Sequence, residues 1–425
     1  MTSITTTKSY KGPFIAMVIL LSLIGLITSI NQQFQLPIKA AFLQNAGSYE
    51  NTLSTFLVFA FFLAYLLIGP IAANYLEKHG YKKTLLVGIS ILGVSFLFFL
   101  ASAIQYKMSI DSPINFHISD AVIPLSYFIF VFGSFVSGSG LTYLQASVNP
   151  YIVACDVKGT SAVQRQNIGG TGNSIMTTIG PLLVAYCIFN GKDGNQVDIQ
   201  SIIIPMLILI VFLTILFIAV NKMQLPSIAK TEVSEGDQAK VRDLLGFRQL
   251  TLGAVAIFVY VGVEVCIGSN FNLYAKHDLG MTATEAAKMV TFYWGAMLVG
   301  RFLGSFTSHI KARTLLGIST AVAAILVIMA IYTRISWMLI AVGLFHSVMW
   351  GAIFSLAIDG LGKYTAKGTG FLMMAVVGGA ILPFLQGYLA DIFGKWEYTW
   401  YLVFAGELYM LFYALIGSRG KRIVE

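Results

Sequence analysis

Apolar residues along this chain come in twelve long runs, roughly 13–42, 52–76, 83–104, 121–154, 166–190, 199–221, 248–274, 287–308, 312–333, 337–360, 368–390 and 397–418. A helix needs about 20 consecutive apolar residues to cross the hydrocarbon core of a bilayer. Several runs exceed that length and have room to tilt or to extend past the membrane. The pattern therefore predicts an all-α membrane protein of twelve transmembrane helices. The longest polar interruption, residues 222–247, separates six runs from six. It predicts an N-terminal half over 1–221, a linker over 222–247 and a C-terminal half over 248–425. Few polar residues lie deep within the runs: Gln33, Gln145, Asn173, Glu264, His346 and Glu407. A polar group at that depth is costly unless it faces a cavity or a partner, so each is a functional candidate.

Composition agrees with the pattern. The 425 residues are 57% hydrophobic and 11% charged, whereas soluble domains carry roughly 25% charged residues. Lipid must therefore be the solvent for most of the surface. Residues 1–11 are polar and no small-residue cleavage site follows the first run, so no cleavable signal peptide is expected. Cys155, Cys187 and Cys266 lie far apart and show no metal or redox spacing. The formal charge of +8 is explained by topology rather than by nucleic acid. With the N-terminus in the cytoplasm, 20 of the 27 Lys and Arg residues fall on the inner side and 7 on the outer. Cytoplasmic loops carry that excess, so both termini are expected inside a cytoplasmic membrane.

A short internal similarity supports the six-plus-six division. His79-Gly80-Tyr81-Lys82-Lys83-Thr84-Leu85-Leu86 resembles His309-Ile310-Lys311-Ala312-Arg313-Thr314-Leu315-Leu316 at an offset of 230 residues (309 minus 79). Both segments lie between the second and third runs of their half. The same offset carries Gln33 to position 263, beside Glu264.

Seven spans carry candidate chemistry. Span one contains Asn31-Gln32-Gln33-Phe34-Gln35-Leu36-Pro37. Four amides in five residues cannot all face lipid; Asn31 and Gln35 share a helical face, and Gln33 points elsewhere. Amides both donate and accept, which suits sugar hydroxyls. Span four contains Gln145 and Asn149, four residues apart, followed by Pro150, which frees a carbonyl one turn back. Glycines surround Asn173 in span five, which permits close helix approach or room for a ligand. No strand precedes Gly170-Thr171-Gly172, so it is not a nucleotide-binding loop.

Span seven contains Glu264 between Gly262 and Gly268, with Asn270 and Asn272 beyond. The glycines favour local unwinding, and Glu264 is placed to carry a proton or to ligate a cation with neighbouring carbonyls. Span ten sets His346 and Trp350 four residues apart, a hydrogen-bonding ring one turn from a flat aromatic face. Trp294 in span eight is a further aromatic candidate. Glu407 in span twelve is read as a structural pairing partner, with a second coupling carboxylate as the alternative. Arg301 and Asp359, near the inner ends of spans eight and ten, are expected to form an ion pair at an inner gate.

At these residues the chain resembles the fucose–galactose–glucose symporter branch of the major facilitator superfamily. The resemblance lies in Gln145-Ala146-Ser147-Val148-Asn149-Pro150-Tyr151, in Arg165-Gln166-Asn167 through Asn173-Ser174, and in Tyr260-Val261-Gly262-Val263-Glu264. It continues in Gly300-Arg301-Phe302-Leu303-Gly304, in Ile353-Phe354-Ser355-Leu356-Ala357-Ile358, and in Gly378-Gly379 before Pro383. The loop Glu77-Lys78-His79-Gly80-Tyr81-Lys82-Lys83 is similar to the superfamily's inner loop, with Glu77 where Asp is usual. The motifs span both halves. They imply two six-helix halves of the major facilitator fold, alternating access, and a sugar bound at the midplane between the halves. Glu77, Lys82 and Lys83 then act in gating. Acids in spans one and four of the fucose permease serve proton coupling; the matching positions here are Gln33 and Gln145, which do not titrate. The glucose and galactose members look closer, with Gln in span four and Glu in span seven. His346 stands where the family more often has Asn, and Gly170 where the fucose permease has Gln.

The expected function is import of a monosaccharide by Na⁺ or H⁺ symport, with no organic cofactor, no nucleic-acid partner and a monomer sufficient. The expected substrate contacts are Asn31, Gln33, Gln145, Asn149, Asn173, Trp294, His346 and Trp350. The expected cation-coupling residues are Glu264, Asn270 and Asn272, with Na⁺ beside Glu264 as one of the two ionic readings. An uncoupled facilitator and an exporter of another small polar metabolite are the alternatives. A membrane enzyme would need a nucleophile or metal cluster near one surface, and the sequence offers none.

Overall fold

The computed structural model describes residues 11–108, 114–118, 120–155, 157–160, 162–188, 190, 198–225, 244–304 and 310–420. Among the described residues, every predicted run falls largely on helix. Span one is Lys11–Gln33 continued by Gln35–Phe42. Spans two and three form one stretch, Glu50–Met108, broken at Gly80. Gly80 has φ +77°, in the left-handed region that glycine enters without a side-chain clash; the chain turns there between Glu77 and Lys82.

Span four is Leu125–Ala154, and span five is Ala162–Leu182 with a π-helical end, Leu183–Ile188. Span six is Ile203–Lys222. Span seven is Arg248–Val265, a π turn at Cys266–Asn270, then Phe271–His277. Spans eight, nine and ten are Ala283–Gly304, Ala312–Thr333 and Trp337–Ile358. Span eleven runs through Thr365–Met374, a 3₁₀ turn at Ala375–Val377 and Gly378–Phe393. Span twelve is Trp400–Phe412 with a π-helical end, Tyr413–Gly417.

Nine described stretches are long and apolar enough to cross a membrane, and one of them, Gly47–Met108, holds two predicted runs. Spans five and eight are the two more polar helices, as helices lining an aqueous path should be. Span six is the opposite case. Its Ile204, Ile208, Val211 and Ile215 are exposed, a surface that acyl chains cover.

One boundary differs from expectation. Residues 121–124 begin no helix; Ala121–Pro124 pairs antiparallel with Asn115–Ile118, Asn115 opposite Pro124 and Ile118 opposite Ala121. Pro124, extended at ψ 151°, is the N-cap of span four, and its missing N–H is harmless there. The hairpin is tied to the first loop, where Val122 N–H donates to the Asn45 carbonyl at 2.8 Å. Most of the proposed linker, and His309 of the internal similarity, lie outside the described residues.

Close approach inside the N-terminal half depends on glycine. A β-carbon at Gly25 of span one would overlap the Asn173 carbonyl of span five. The two helices therefore pack backbone to backbone, as small residues allow in membrane bundles.

Candidate functional site

The amides of span one diverge. Pro37 supplies no N–H to the Gln33 carbonyl one turn back, and the helix breaks at Phe34. The expected common face of Asn31 and Gln35 is lost at that break. Asn31 Nδ2 donates to Ser134 Oγ of span four at 2.8 Å, and the same hydroxyl donates back to Asn31 Oδ1 at 3.1 Å. Asn31 therefore holds two helices of one half together. Gln33 Nε2 donates to the Gly268 carbonyl at 3.3 Å, and its Oε1 accepts from Asn272 Nδ2. Gln35 Nε2 donates to Asn270 Oδ1 at 3.0 Å. Both connect span one to the π turn of span seven, across the two halves.

These bonds belong to a seal at the end that loop charges assign to the outside. Asn270 Nδ2 also donates to Gln386 Oε1 at 3.0 Å and to the Pro383 carbonyl at 2.9 Å. Farther out, the Asp391 carboxylate of span eleven accepts from Asn51 N–H at 3.0 Å, from Thr52 N–H at 2.7 Å and from Thr52 Oγ1 at 2.5 Å. A carboxylate there satisfies the otherwise unpaired N–H groups that open span two. Phe384 packs against Phe56 and Phe59 at ring distances of 5.8 and 5.2 Å.

Inward of the seal lies a cavity of about 190 Å³ walled by both halves. Its polar lining is Thr28 and Gln32 from span one, Gln145 from span four, Asn173, Ser174 and Thr177 from span five, Glu264 from span seven and Arg301 from span eight. Phe62, Trp294, Met297 and short aliphatic side chains complete it. Gln145 Nε2 is held by the Tyr65 hydroxyl at 3.2 Å, and Asn173 Nδ2 by the Leu21 carbonyl at 2.9 Å. Gln32 is buried, yet its Oε1 accepts from no described residue, and Trp294 Nε1 likewise has no described acceptor. Buried polar atoms are nearly always paired, and Gln35 Oε1, Asn272 Oδ1 and Gln386 Nε2 at the seal are likewise without a described partner. Trp294 is seated by Gly268, where a β-carbon would overlap the indole.

Of the expected site residues, the structure brings Gln145, Asn173, Trp294, Glu264 and Arg301 to one cavity. It does not bring the others. Asn31 and Gln33 have the partners just described. Asn149 Nδ2 donates to the Gln145 carbonyl at 3.3 Å and its Oδ1 accepts from Gln166 at 3.4 Å, within one half. His346 is 0% exposed, behind Tyr293, and Trp350 packs on Tyr260 and Phe354. Asn270 and Asn272 face the seal rather than Glu264.

Arg301 differs from expectation too. Its Nη1 donates to Ser174 Oγ of the other half at 2.5 Å, while Asp359 lines a separate surface cavity with Lys311, Arg313 and Arg419. The reason is register: Asp359 follows the last residue of span ten as its C-cap, beyond the level of the cavity. Glu77 and Lys83 are exposed at the Gly80 turn, and Lys82 is half-buried there.

Sequence reasoning missed Gln32, Thr28, Ser174 and Thr177. Spacing held part of the signal: Gly25, Thr28 and Gln32 recur at helical intervals along one face of span one.

The chain matches the Major Facilitator Superfamily model over residues 21–381. It belongs to that superfamily. It is 32% identical over 427 residues to a glucose/galactose transporter of Brucella abortus, covering 98% of this chain and 97% of the relative. It is 24% identical over 415 residues to the L-fucose-proton symporter of Escherichia coli, covering 92% and 89%. Among solved structures, a D-xylose-proton symporter superposes with a TM-score of 0.71 at 15% identity, over 97% of this chain and 99% of that one. The E. coli fucose:proton symporter superposes at 0.64 and 20%, over 97% and 100%. The protein is thus a multi-pass membrane protein of the major facilitator fold.

Proposed function

We propose that this transporter imports a monosaccharide by cation symport, alternating access to a site between its halves in a bacterial inner membrane with both termini cytoplasmic. The wall of the shared cavity carries the reading. Amides and hydroxyls from spans one, four and five face an indole, a carboxylate and a guanidinium from spans seven and eight. Amides and hydroxyls exchange donors and acceptors with a sugar ring, and the Trp294 face covers its C–H surface. A cavity of about 190 Å³ is smaller than the roughly 300–1,000 Å³ typical of drug-sized ligand sites, which favours one sugar ring over a bulkier export substrate. The names of the relatives, glucose/galactose transporter and L-fucose-proton symporter, agree with this class. The bound sugar is read as contacting Gln32, Gln145, Asn173 and Trp294.

Glu264 is the carboxylate of the cavity, with Arg301 as its nearby cation. It is read as the cation-coupling residue. A coupling ion must bind the two conformations unequally or it shifts nothing. If Glu264 takes up H⁺, uptake rises as external pH falls; if it ligates Na⁺, uptake requires Na⁺ and varies little around neutral pH. The linker over 222–247 joins halves that rock as units, and one chain suffices for the cycle. Uptake of labelled glucose and galactose into proteoliposomes tests the proposal, with Na⁺ and pH gradients imposed separately. Accumulation above equilibrium under either gradient supports symport. Equilibration under both makes the protein a facilitator, and the absence of any hexose flux overturns the sugar reading.

A further inference from the structure

Behind the cavity wall, spans seven, eight, ten and twelve enclose a second polar cluster. His346 and Glu407 are both 0% exposed. Nε2 of His346 lies 2.7 Å from Glu407 Oε1, and Nδ1 lies 2.8 Å from the Tyr293 hydroxyl. That same hydroxyl is 3.4 Å from the backbone carbonyl oxygen of Glu264. Tyr260 donates to the His346 carbonyl at 3.0 Å, and its ring meets the imidazole edge-on at 5.8 Å. The ionisable groups around the imidazole are therefore Tyr260 and Glu264 from span seven, Tyr293 from span eight and Glu407 from span twelve. Cys266 lies near Tyr293, and Arg301 acts on Glu264. Glu407 Oε2 is buried and bonds to no described residue.

The hydrogen bonds of this cluster allow two proton counts. In the first, neutral His346 donates Nε2–H to Glu407, and its Nδ1 accepts the Tyr293 proton. The pair then holds one net negative charge in a low-dielectric site, an arrangement that is costly without full hydrogen bonding. In the second, one further proton sits on Nδ1. That N–H donates to the Tyr293 oxygen, and the Tyr293 proton turns to the Glu264 carbonyl. One proton has entered, no bond has broken, and the pair is neutral overall. The new acceptor lies immediately before the π turn Cys266–Asn270, whose Gly268 seats Trp294 on the cavity side and accepts from Gln33 on the seal side.

We propose that His346 and Glu407 form a proton-binding site apart from the sugar cavity, and that Tyr293 transmits its occupancy to the π turn joining the cavity to the outer seal. The inference rests on the reading of the protein as a cation-coupled transporter. The proton it binds is a coupling ion carried outside the substrate wall.

The test uses the full chain in proteoliposomes, with labelled glucose for counterflow and accumulation and an internal pH dye for proton entry. In the wild type, a pH gradient should drive accumulation accompanied by proton entry. His346→Gln and Glu407→Gln should keep counterflow within about threefold of wild type but lose accumulation and sugar-dependent proton entry. Tyr293→Phe should lower the accumulation ratio while counterflow persists. A merely structural pair would lower counterflow and accumulation together, and that outcome overturns the proposal, as does unchanged proton entry in both variants. Infrared difference spectra of the detergent-purified protein across pH test the pair without any sugar. Loss of an imidazole–imidazolium signal in His346→Gln supports the site, and spectra identical to wild type overturn it. Absent hexose counterflow in the wild type, by contrast, defeats the sugar reading, and the spectra then decide the proton site alone.

Discussion

The outer seal and the cavity beside it are both built from amides, and they use them differently. Gln33 and Gln35 bond to the Gly268 carbonyl, Asn272 and Asn270 across the two halves, and Asn270 bonds on to Gln386 within the second. Each neutral bond between the halves contributes about 1 kcal/mol net, and those bonds must break when the outer end opens. Gln32, adjacent to Gln33 in the chain, keeps an acceptor without a described partner, as Trp294 keeps a donor. The seal also keeps atoms without a described partner, Gln35 Oε1, Asn272 Oδ1 and Gln386 Nε2, and its strength rests on the bonds that cross the halves, not on complete matching of its polar atoms. A binding wall is specific when its polar atoms are matched only by the ligand, because a partner lacking the right hydroxyls leaves buried groups unpaired.

Five substitutions break or sharpen that contrast. The largest effect is expected at Glu264→Gln, which removes the ionisable group of the cavity. Accumulation should fall to simple equilibration while exchange of labelled for unlabelled sugar continues; undiminished accumulation would remove Glu264 from the coupling role. Next is Asp391→Asn, which weakens a charge-assisted cap worth about 1.5–3 kcal/mol that joins span eleven to the start of span two. A cysteine placed at Gln35 in that background should react with an impermeant maleimide roughly tenfold faster from outside, and an unchanged rate would show that Asp391 is not part of the seal.

The adjacent pair in span one is the direct comparison. Gln32→Leu should raise the apparent KM for sugar about five- to tenfold, as expected for about 1 kcal/mol lost at a ligand bond. Gln33→Leu should leave binding from the cytoplasmic side within about twofold and alter the rate of conformational exchange instead. Equal KM effects would erase the division between seal and cavity. The smallest effect is expected at Trp294→Phe, which keeps a ring and removes the N–H. A two- to threefold rise in KM, about half a kcal/mol, is the prediction, read in the same uptake assay.

Much of the fold was legible in the chain because lipid imposes a single demand on every span. Length and apolarity located the helices, nine described stretches being long and apolar enough to cross a membrane, and the left-handed Gly80 stands where the chain must turn. The start of span four was misplaced because Ala121-Val122-Ile123 is apolar in either a strand or a helix; Pro124 and pairing with Asn115–Ile118 decided it. The site was legible only in part. Gln145, Asn173, Trp294 and Glu264 were named from residue type and depth, and they meet at the cavity, where Arg301, expected instead at an inner gate with Asp359, joins them. His346 was named on the same grounds and lies behind the wall, and Gln32 was passed over in favour of Gln33. Depth along a helix is written in sequence position, but azimuth is reset wherever the helix breaks, as it does at Phe34 and at Cys266–Asn270.

By itself, then, the sequence determined a bundle of membrane-spanning helices and the residue types available at mid-membrane, since these follow from the cost of placing polar groups in hydrocarbon. Only the tertiary structure decided which amides close the outer end, which face the cavity, and that His346 is joined to Glu407 and Tyr293. Those outcomes depend on how helices far apart in sequence are rotated against one another, and a hydrogen bond is made or missed within a few tenths of an ångström.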